Sequence, residues 1–328
     1  VTLRAEYDVD GVPLAVDVAD RLGPDALDAI DRRLRSFRAT APATLDPSAV
    51  VRIHLGAEPL TPPAGASRAV YDSAAGTVQY CDDEATLFAE IDGGAQMRCR
   101  PHDRLALLAC RPSSVESLWR ATHPLLTLAL IELLKHQGRF SLHAAGVVSD
   151  GRAILIAGPS GAGKSTLAVG LARSGLAFMA DDTVFLHTRP DRLDVVGFAD
   201  EVDVTQQTLS MFEELAPAAR RQPVGGGKWS LRLEEALATT QVRCCPPGLV
   251  VLARVSDRET SRISPVAASE ALVELAPNVL LTDAPTAQAH LAALAQLVAT
   301  TPCVRLDTGR DFDRLPARLA GARAARVS

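Results

Sequence analysis

The sequence is short of several features, and each shortage excludes a class of protein. No apolar run is long enough to cross a bilayer. The longest, Pro124 to Leu134, is too short and carries Glu132. Six cysteines are present (Cys81, Cys99, Cys110, Cys244, Cys245 and Cys303), but none forms a C-x-x-C pair and no Cys/His cluster has zinc spacing. Adjacent Cys244 and Cys245 stand too close for an ordinary disulfide or a chelate, so the cysteines read as thiols in a reducing compartment. No charged-then-apolar leader opens the chain. A soluble, cytoplasmic protein with no membrane partner is expected. Basic excess is also lacking: the net charge is −5 and both signs are scattered, which argues against nucleic acid as a partner. Aromatic residues are scarce beside abundant Ala, Leu, Val, Arg and Pro, a bias that carries no functional information.

Apolar residues make up 47% of 328, enough for a sizeable core in one large domain or two ordinary ones. The most informative stretch is Gly158-Pro159-Ser160-Gly161-Ala162-Gly163-Lys164-Ser165, which fits the phosphate-loop spacing G-x-x-x-x-G-K-[ST]. Ala153 to Ala157 before it reads as a buried strand, and Thr166 to Arg173 after it as a helix. Glycines there let the backbone turn its N–H groups inward, and the helix presents its positive N-terminus to the same anion. Lys164 is expected to reach the β- and γ-phosphates of a nucleotide, and the Ser165 hydroxyl to hold Mg²⁺.

Around this motif the chain falls into two regions. Residues 1–118 suggest a smaller α+β domain for partner or substrate recognition. Val12–Val18, Val50–Leu55, Ala69–Asp72, Thr77–Cys81 and Leu105–Cys110 read as strands, and Asp25–Phe37, entered through Pro24, as a helix. Residues 119–328 form the α/β catalytic region. Thr122–Gln137 reads as a buried helix capped by Thr122 and ended by Gly138. Asp150-Gly151 is a hairpin signal, so the strand around His143 should run antiparallel to the loop strand. His143 is then either a packed residue or one close to the nucleotide. Leu176 to Ala180 reads as a strand parallel to the loop strand, continuing through Thr183 to His187. Asp181 and Asp182 emerge at the sheet edge where phosphates gather. Carboxylates there can hold Mg²⁺ or accept a proton from an attacking hydroxyl. The acidic stretch Ala199 to Val204 is either a further metal ligand or a solvated loop. Pro223 to Trp229, with three glycines before Lys228, is either a flap carrying a cation to phosphate or an ordinary flexible loop.

Leu142-His143-Ala144, the loop Gly158 to Thr166 and the strand ending Ala180-Asp181-Asp182 together resemble the catalytic domain of the HPr kinase/phosphorylase family. The resemblance is closer to the HPr-kinase-like proteins of bacterial biosynthetic clusters, including those for lasso peptides. It covers roughly residues 120 to 320 and implies a P-loop kinase domain of the HPr kinase C-terminal type. The implied activity is ATP- and Mg²⁺-dependent transfer of a phosphoryl group to a serine hydroxyl, on a peptide or protein such as a biosynthetic precursor. Asp181 would be the general base, His143 would stand near the reacting groups and Lys164 would neutralise developing charge. Gly158, Ser160, Gly161, Ala162, Gly163, Lys164, Ser165, Thr166 and Lys228 would bind the nucleotide. Ser165, Asp182 and a further acid, best matched by Glu201, would hold the metal. The segment characteristic of the phosphorylase branch is not found, and residues 1–118 do not resemble the N-terminal domain of the bifunctional enzymes. HPr itself is therefore unassigned as substrate. Self-association is implied by the resemblance alone. Two other readings stay open on the same scaffold: a small-molecule hydroxyl kinase, and a nucleotide-driven ATPase or switch.

Overall fold

In the computed structural model, residues 2–39, 48–73, 76–198, 201–224 and 227–324 are described. The protein is a mixed α/β chain with several sheets. It divides into two compact units: residues 1–139 with 280–287, and 140–279 with 288–328. The division runs through Arg139, whereas the sequence suggests a boundary near residue 118.

The first unit is built on an eight-stranded mixed sheet, in the order β1-β2-β3-β8-β7-β6-β5-β4. Its strands are β1 (Thr2–Val9), β2 (Val12–Ala19), β3 (Val51–Gly56), β4 (Ser67–Ser73), β5 (Gly76–Cys81), β6 (Thr86–Ile91), β7 (Ala95–Arg100) and β8 (Leu105–Ala109). Helix α1 (Pro24–Leu34) crosses between β2 and β3, which pair in parallel. The β1–β2 hairpin closes on Asp10-Gly11, both at positive φ, as a two-residue turn requires.

A long helical stretch follows, and it starts earlier than expected. Ser114, not Thr122, is the N-cap, accepting from the Ser117 N–H to open α2 (Val115–Arg120). Residues Ala121–Leu125 form a π-turn containing Pro124, and α3 (Leu126–Lys135) continues beyond it. Proline has no N–H for the helical ladder and crowds the carbonyl four residues back; the wider turn absorbs both defects. Thr122 donates its hydroxyl to the Leu118 carbonyl instead of capping.

The second unit carries β9 (Arg139–Leu142), β10 (Ala145–Ser149), β11 (Arg152–Ala157), α4 (Lys164–Arg173), β12 (Ala177–Ala180), β13 (Val184–Thr188), β14 (Leu193–Gly197) and β15 (Val202–Val204). Then come α5 (Gln206–Met211), β16 (Arg220–Arg221), β17 (Trp229–Leu231), α6 (Leu233–Ala236), β18 (Cys244–Cys245), β19 (Pro247–Val255), β20 (Arg262–Pro265), α7 (Ala268–Leu275), α8 (Ala284–Thr300), β21 (Cys303–Thr308) and α9 (Leu315–Ala324). Six strands form the main sheet, ordered β12-β10-β11-β19-β21-β20. The loop strand β11 pairs in parallel with β19, and antiparallel with β10 through the Asp150-Gly151 turn.

Both faces of this sheet are covered. On one, Ile154 and Ile156 pack with Leu167 and Leu171 of α4; on the other, Leu155 and Ala157 pack with Leu294 and Leu297 of α8. Burial on both faces explains why β11 reads as an unbroken apolar run rather than an alternating one.

The stretch from Ala177 to Thr188 departs from expectation. It is two strands in different sheets, not one. β12 lies at the edge of the main sheet, separated from β11 by β10, and has the same direction as β11. β13 instead pairs with β14 in a hairpin of the four-stranded sheet β18-β14-β13-β9. Asp181, Asp182 and Thr183 fill the break. At the break the carboxylate of Asp181 accepts a backbone N–H from β15, and β13 pairs with β14 beyond it.

Candidate functional site

The site is built at the end of β11. Gly158, Gly161 and Gly163 all take positive φ, and α4 starts at Lys164 directly after Gly163. At Gly158 the requirement for glycine is doubled: a Cβ would also meet the Ala253 carbonyl oxygen at 2.8 Å. Pro159 O accepts from the Ala162 N–H at 3.1 Å, and Gly163 O from the Leu167 N–H at 2.8 Å, so a tight turn feeds straight into the helix. Ser160 and Gly161 are exposed and Ala162 is buried beneath them. The loop thus leaves its outer surface open at a helix N-terminus, where backbone N–H groups have no intrahelical partner.

Lys164 is largely buried and folds back over this loop. Its ammonium donates to Gly158 O at 3.0 Å and to Pro159 O at 3.4 Å. Burial pulls its pKa down, the charges of Asp182 and Asp181 oppose that, and Lys228 adds to the depression. Lys228 is itself exposed. Gly225 and Gly226, two of the three glycines of the flap read from the sequence, lie outside the described residues.

Asp181 is the buried acid of the site. Its Oδ2 accepts the backbone N–H of Asp203 at 2.9 Å, while Oδ1 is buried and has no hydrogen-bond partner among the described residues. Burial raises its pKa to about 7, reinforced by the charges of Asp182 and Asp203; the Asp203 N–H and the Ser165 hydroxyl work in the other direction. Asp182, next along, is exposed. His143 stands beside it, with Nδ1 at 2.9 Å from the Asp182 carbonyl oxygen and 3.1 Å from its Oδ1. The structure therefore brings Asp181, Asp182, His143, Lys164 and Ser165 to one place.

Other sequence candidates have different partners. Thr166 shares a hydroxyl–hydroxyl hydrogen bond of 2.8 Å with buried Thr208 of α5, fixing α4 against α5. Glu201 is paired with Arg220 and lies 4.0 Å from Arg232, so two guanidinium groups hold the carboxylate expected to ligate metal. The acid that reaches the site from this stretch is Asp203. Its Oδ1 accepts from Gln222 Nε2 at 2.5 Å and Ser230 Oγ at 2.9 Å, while its own N–H holds Asp181. The one sequence cue was the alternation Val202-Asp203-Val204, which buries both valines and turns Asp203 the other way.

Three carboxylates, a lysine and a serine hydroxyl at a glycine-rich helix N-terminus give an oxygen-rich, anion-accepting arrangement. Ser165 and Asp182 are hard oxygen donors of the kind Mg²⁺ prefers, and the Lys164 ammonium and loop N–H groups suit phosphate.

No known protein family matches the chain, and no curated protein does. Among solved structures, the Hpr(Ser) kinase/phosphatase from Coxiella burnetii is similar at 13% identity and a TM-score of 0.34, over 57% of this chain and 92% of that one. Likeness of that degree is too distant to carry an argument about the site. Among the described residues no helix is long and apolar enough to cross a membrane.

Proposed function

We propose that the protein is an ATP-dependent phosphotransferase that moves the γ-phosphoryl group to a hydroxyl, most plainly a serine hydroxyl on a peptide or protein. The observation that carries this reading is the placement of Asp181. It is a buried carboxylate with Oδ2 held by the Asp203 N–H and Oδ1 making no hydrogen bond among the described residues, beside Ser165 at the start of the helix that follows the glycine loop. Such a group is poised to accept one proton from one hydroxyl.

The assigned roles follow from position. Loop N–H groups from Gly158 to Ser165 hold the β- and γ-phosphates. Lys164 swings from the Gly158 and Pro159 carbonyls onto phosphate oxygens, exchanging neutral acceptors for charged ones. Ser165 and Asp182 hold Mg²⁺, which when bound supplies charge neutralisation to the phosphates. Asp181 Oδ1 takes the acceptor's proton as its oxygen bonds to the γ-phosphorus. The bond from that phosphorus to the β–γ bridging oxygen breaks, and ADP leaves with the electron pair. His143, against Asp182, positions that carboxylate. Lys228 is exposed and close enough to influence Lys164, and it serves as a second cation on the phosphates.

The test is a transfer assay with ATP and Mg²⁺ read by mass spectrometry, offering candidate peptides, HPr and free hydroxyl metabolites. One added phosphate on one acceptor class supports the reading. Release of ADP with every acceptor unmodified, at a rate that sustains turnover, points to an ATPase or switch.

A further inference from the structure

A second polar cluster lies wholly inside the first unit and plays no part in the proposed reaction. Glu132 on α3 and His136 just beyond it are four residues apart, so both project from one face of the helix. Asp283, in the 280–287 segment of the same unit, faces them. His136 Nε2 stands 3.4 Å from Asp283 Oδ2 and 3.8 Å from Glu132 Oε1, and it makes no hydrogen bond to either. The Glu132 side chain is fully buried and that of His136 is 9% exposed. One donor atom from each residue falls within 4.8 Å of the other two.

Neither contact is a hydrogen bond, and both separations suit ligands around one ion. Two donors each about 2.1 Å from a tetrahedral centre stand roughly 3.4 Å apart. The carboxylates have further partners, and Asp283 Oδ2 itself accepts from the Thr286 hydroxyl and, at 3.4 Å, from the Thr282 hydroxyl. Glu132 Oε2 is ion-paired with the Lys135 ammonium at 2.8 Å, and Glu132 Oε1 accepts the Thr282 hydroxyl at 2.8 Å. Lys135 in turn donates to Thr282. Asp283 Oδ1 accepts the Thr286 N–H at 3.0 Å. Two carboxylates thus face a single buried ammonium and an imidazole nitrogen that makes no hydrogen bond among the described residues.

We propose that Glu132, His136 and Asp283 bind one first-row divalent cation, Zn²⁺ or Mn²⁺, which fastens the 280–287 segment to the end of α3. One imidazole and two carboxylates form the mixed nitrogen–oxygen set that such ions accept. The role is structural: it ties together residues about 150 positions apart in the chain. The competing occupant is a proton on His136, which would balance the same charges.

The experiment uses the full chain, stripped with chelator, dialysed, and returned to Zn²⁺ or Mn²⁺. Bound metal is counted by elemental mass spectrometry after equilibrium dialysis. Asp283→Asn keeps the oxygen that caps α8, and His136→Gln removes the imidazole. Each is expected to weaken binding of one ion at least about tenfold. Asp182→Asn, in the candidate phosphoryl-transfer site, is expected to keep that ion. X-ray absorption of the Zn²⁺-loaded Asp182→Asn protein should show a nitrogen–oxygen shell with one imidazole, and this measurement stands even where another variant fails to fold. No retained ion, equal retention by both ligand variants, or a sulfur shell from the free cysteines overturns the proposal.

Discussion

The backbone N–H of Asp203 donates to Oδ2 of Asp181 at 2.9 Å, and the Asp203 side chain is itself held by Gln222 and Ser230. One strand of a small sheet thereby sets the orientation of the acid beside the glycine loop. Removing the Asp203 carboxylate should leave the Ser230 hydroxyl without its acceptor and the Gln222 amide with Ser230 Oγ alone. Asp203→Ala is expected to cost about 1–3 kcal/mol of stability, measured by urea unfolding, and to lower any transfer activity. Asp203→Asn, which keeps an acceptor oxygen, should cost less.

The loop itself makes a second prediction. Gly158 combines a φ of +154° with an approach that would bring a Cβ within 2.8 Å of the Ala253 carbonyl. Gly158→Ala should destabilise by more than about 1 kcal/mol and weaken nucleotide binding, measured by thermal unfolding and by titration with ATP. Gly161 also has positive φ but open space around it, so Gly161→Ala should be the milder change.

A third prediction concerns pH and the first unit. His123 lies in the π-turn, stacked on Trp119 with ring centroids 4.7 Å apart. Burial, aided by the charge of Arg33, lowers its pKa from 6.5 to about 3. The folded form therefore binds its proton less readily than the unfolded chain. Stability from this group is complete above about pH 6.5 and declines as pH falls toward 3, because the unfolded state takes up the proton first. Between pH 6.5 and 5 the loss is about 2 kcal/mol. Chemical unfolding across that range should show the decline, and His123→Gln should flatten it.

How far these features were legible in the sequence depended on how local they are. The strand–loop–helix unit from Ala153 to Arg173 is set by consecutive residues, and the Asp150-Gly151 turn fixes the sense of β10. Asp181 and Asp182 were readable as an acid pair at the end of a strand. That the chain breaks there, and joins β13 to a different sheet, was not. β13 pairs there in a hairpin with β14, and Asp181 at the break meets the N–H of Asp203, 22 residues on. Asp203 and Glu201 are near neighbours of the same charge. Which one faces the site is decided by pairing with β17 and by arginines 19 and 31 residues away, information that a pattern of charges does not hold.

In the first unit, β1, β6 and β7 escaped notice. β6 is buried at nearly every position and shows no alternation, whereas β1 and β7 do alternate and were legible as half-buried strands. The three-part helix from Val115 to Lys135 hides behind Pro124, which signals a helix start in sequence but sits in a widened turn within the helix.

The central claim is that Asp181 accepts the proton of the attacking hydroxyl. The most direct test compares wild type with Asp181→Asn in single-turnover phosphoryl transfer to the acceptor found by mass spectrometry, with ATP affinity measured alongside. The substitution preserves shape and an acceptor oxygen but cannot take the proton. The account predicts a fall in transfer of about 10²–10⁴-fold with ATP affinity little changed. Transfer by Asp181→Asn at the wild-type rate would contradict it.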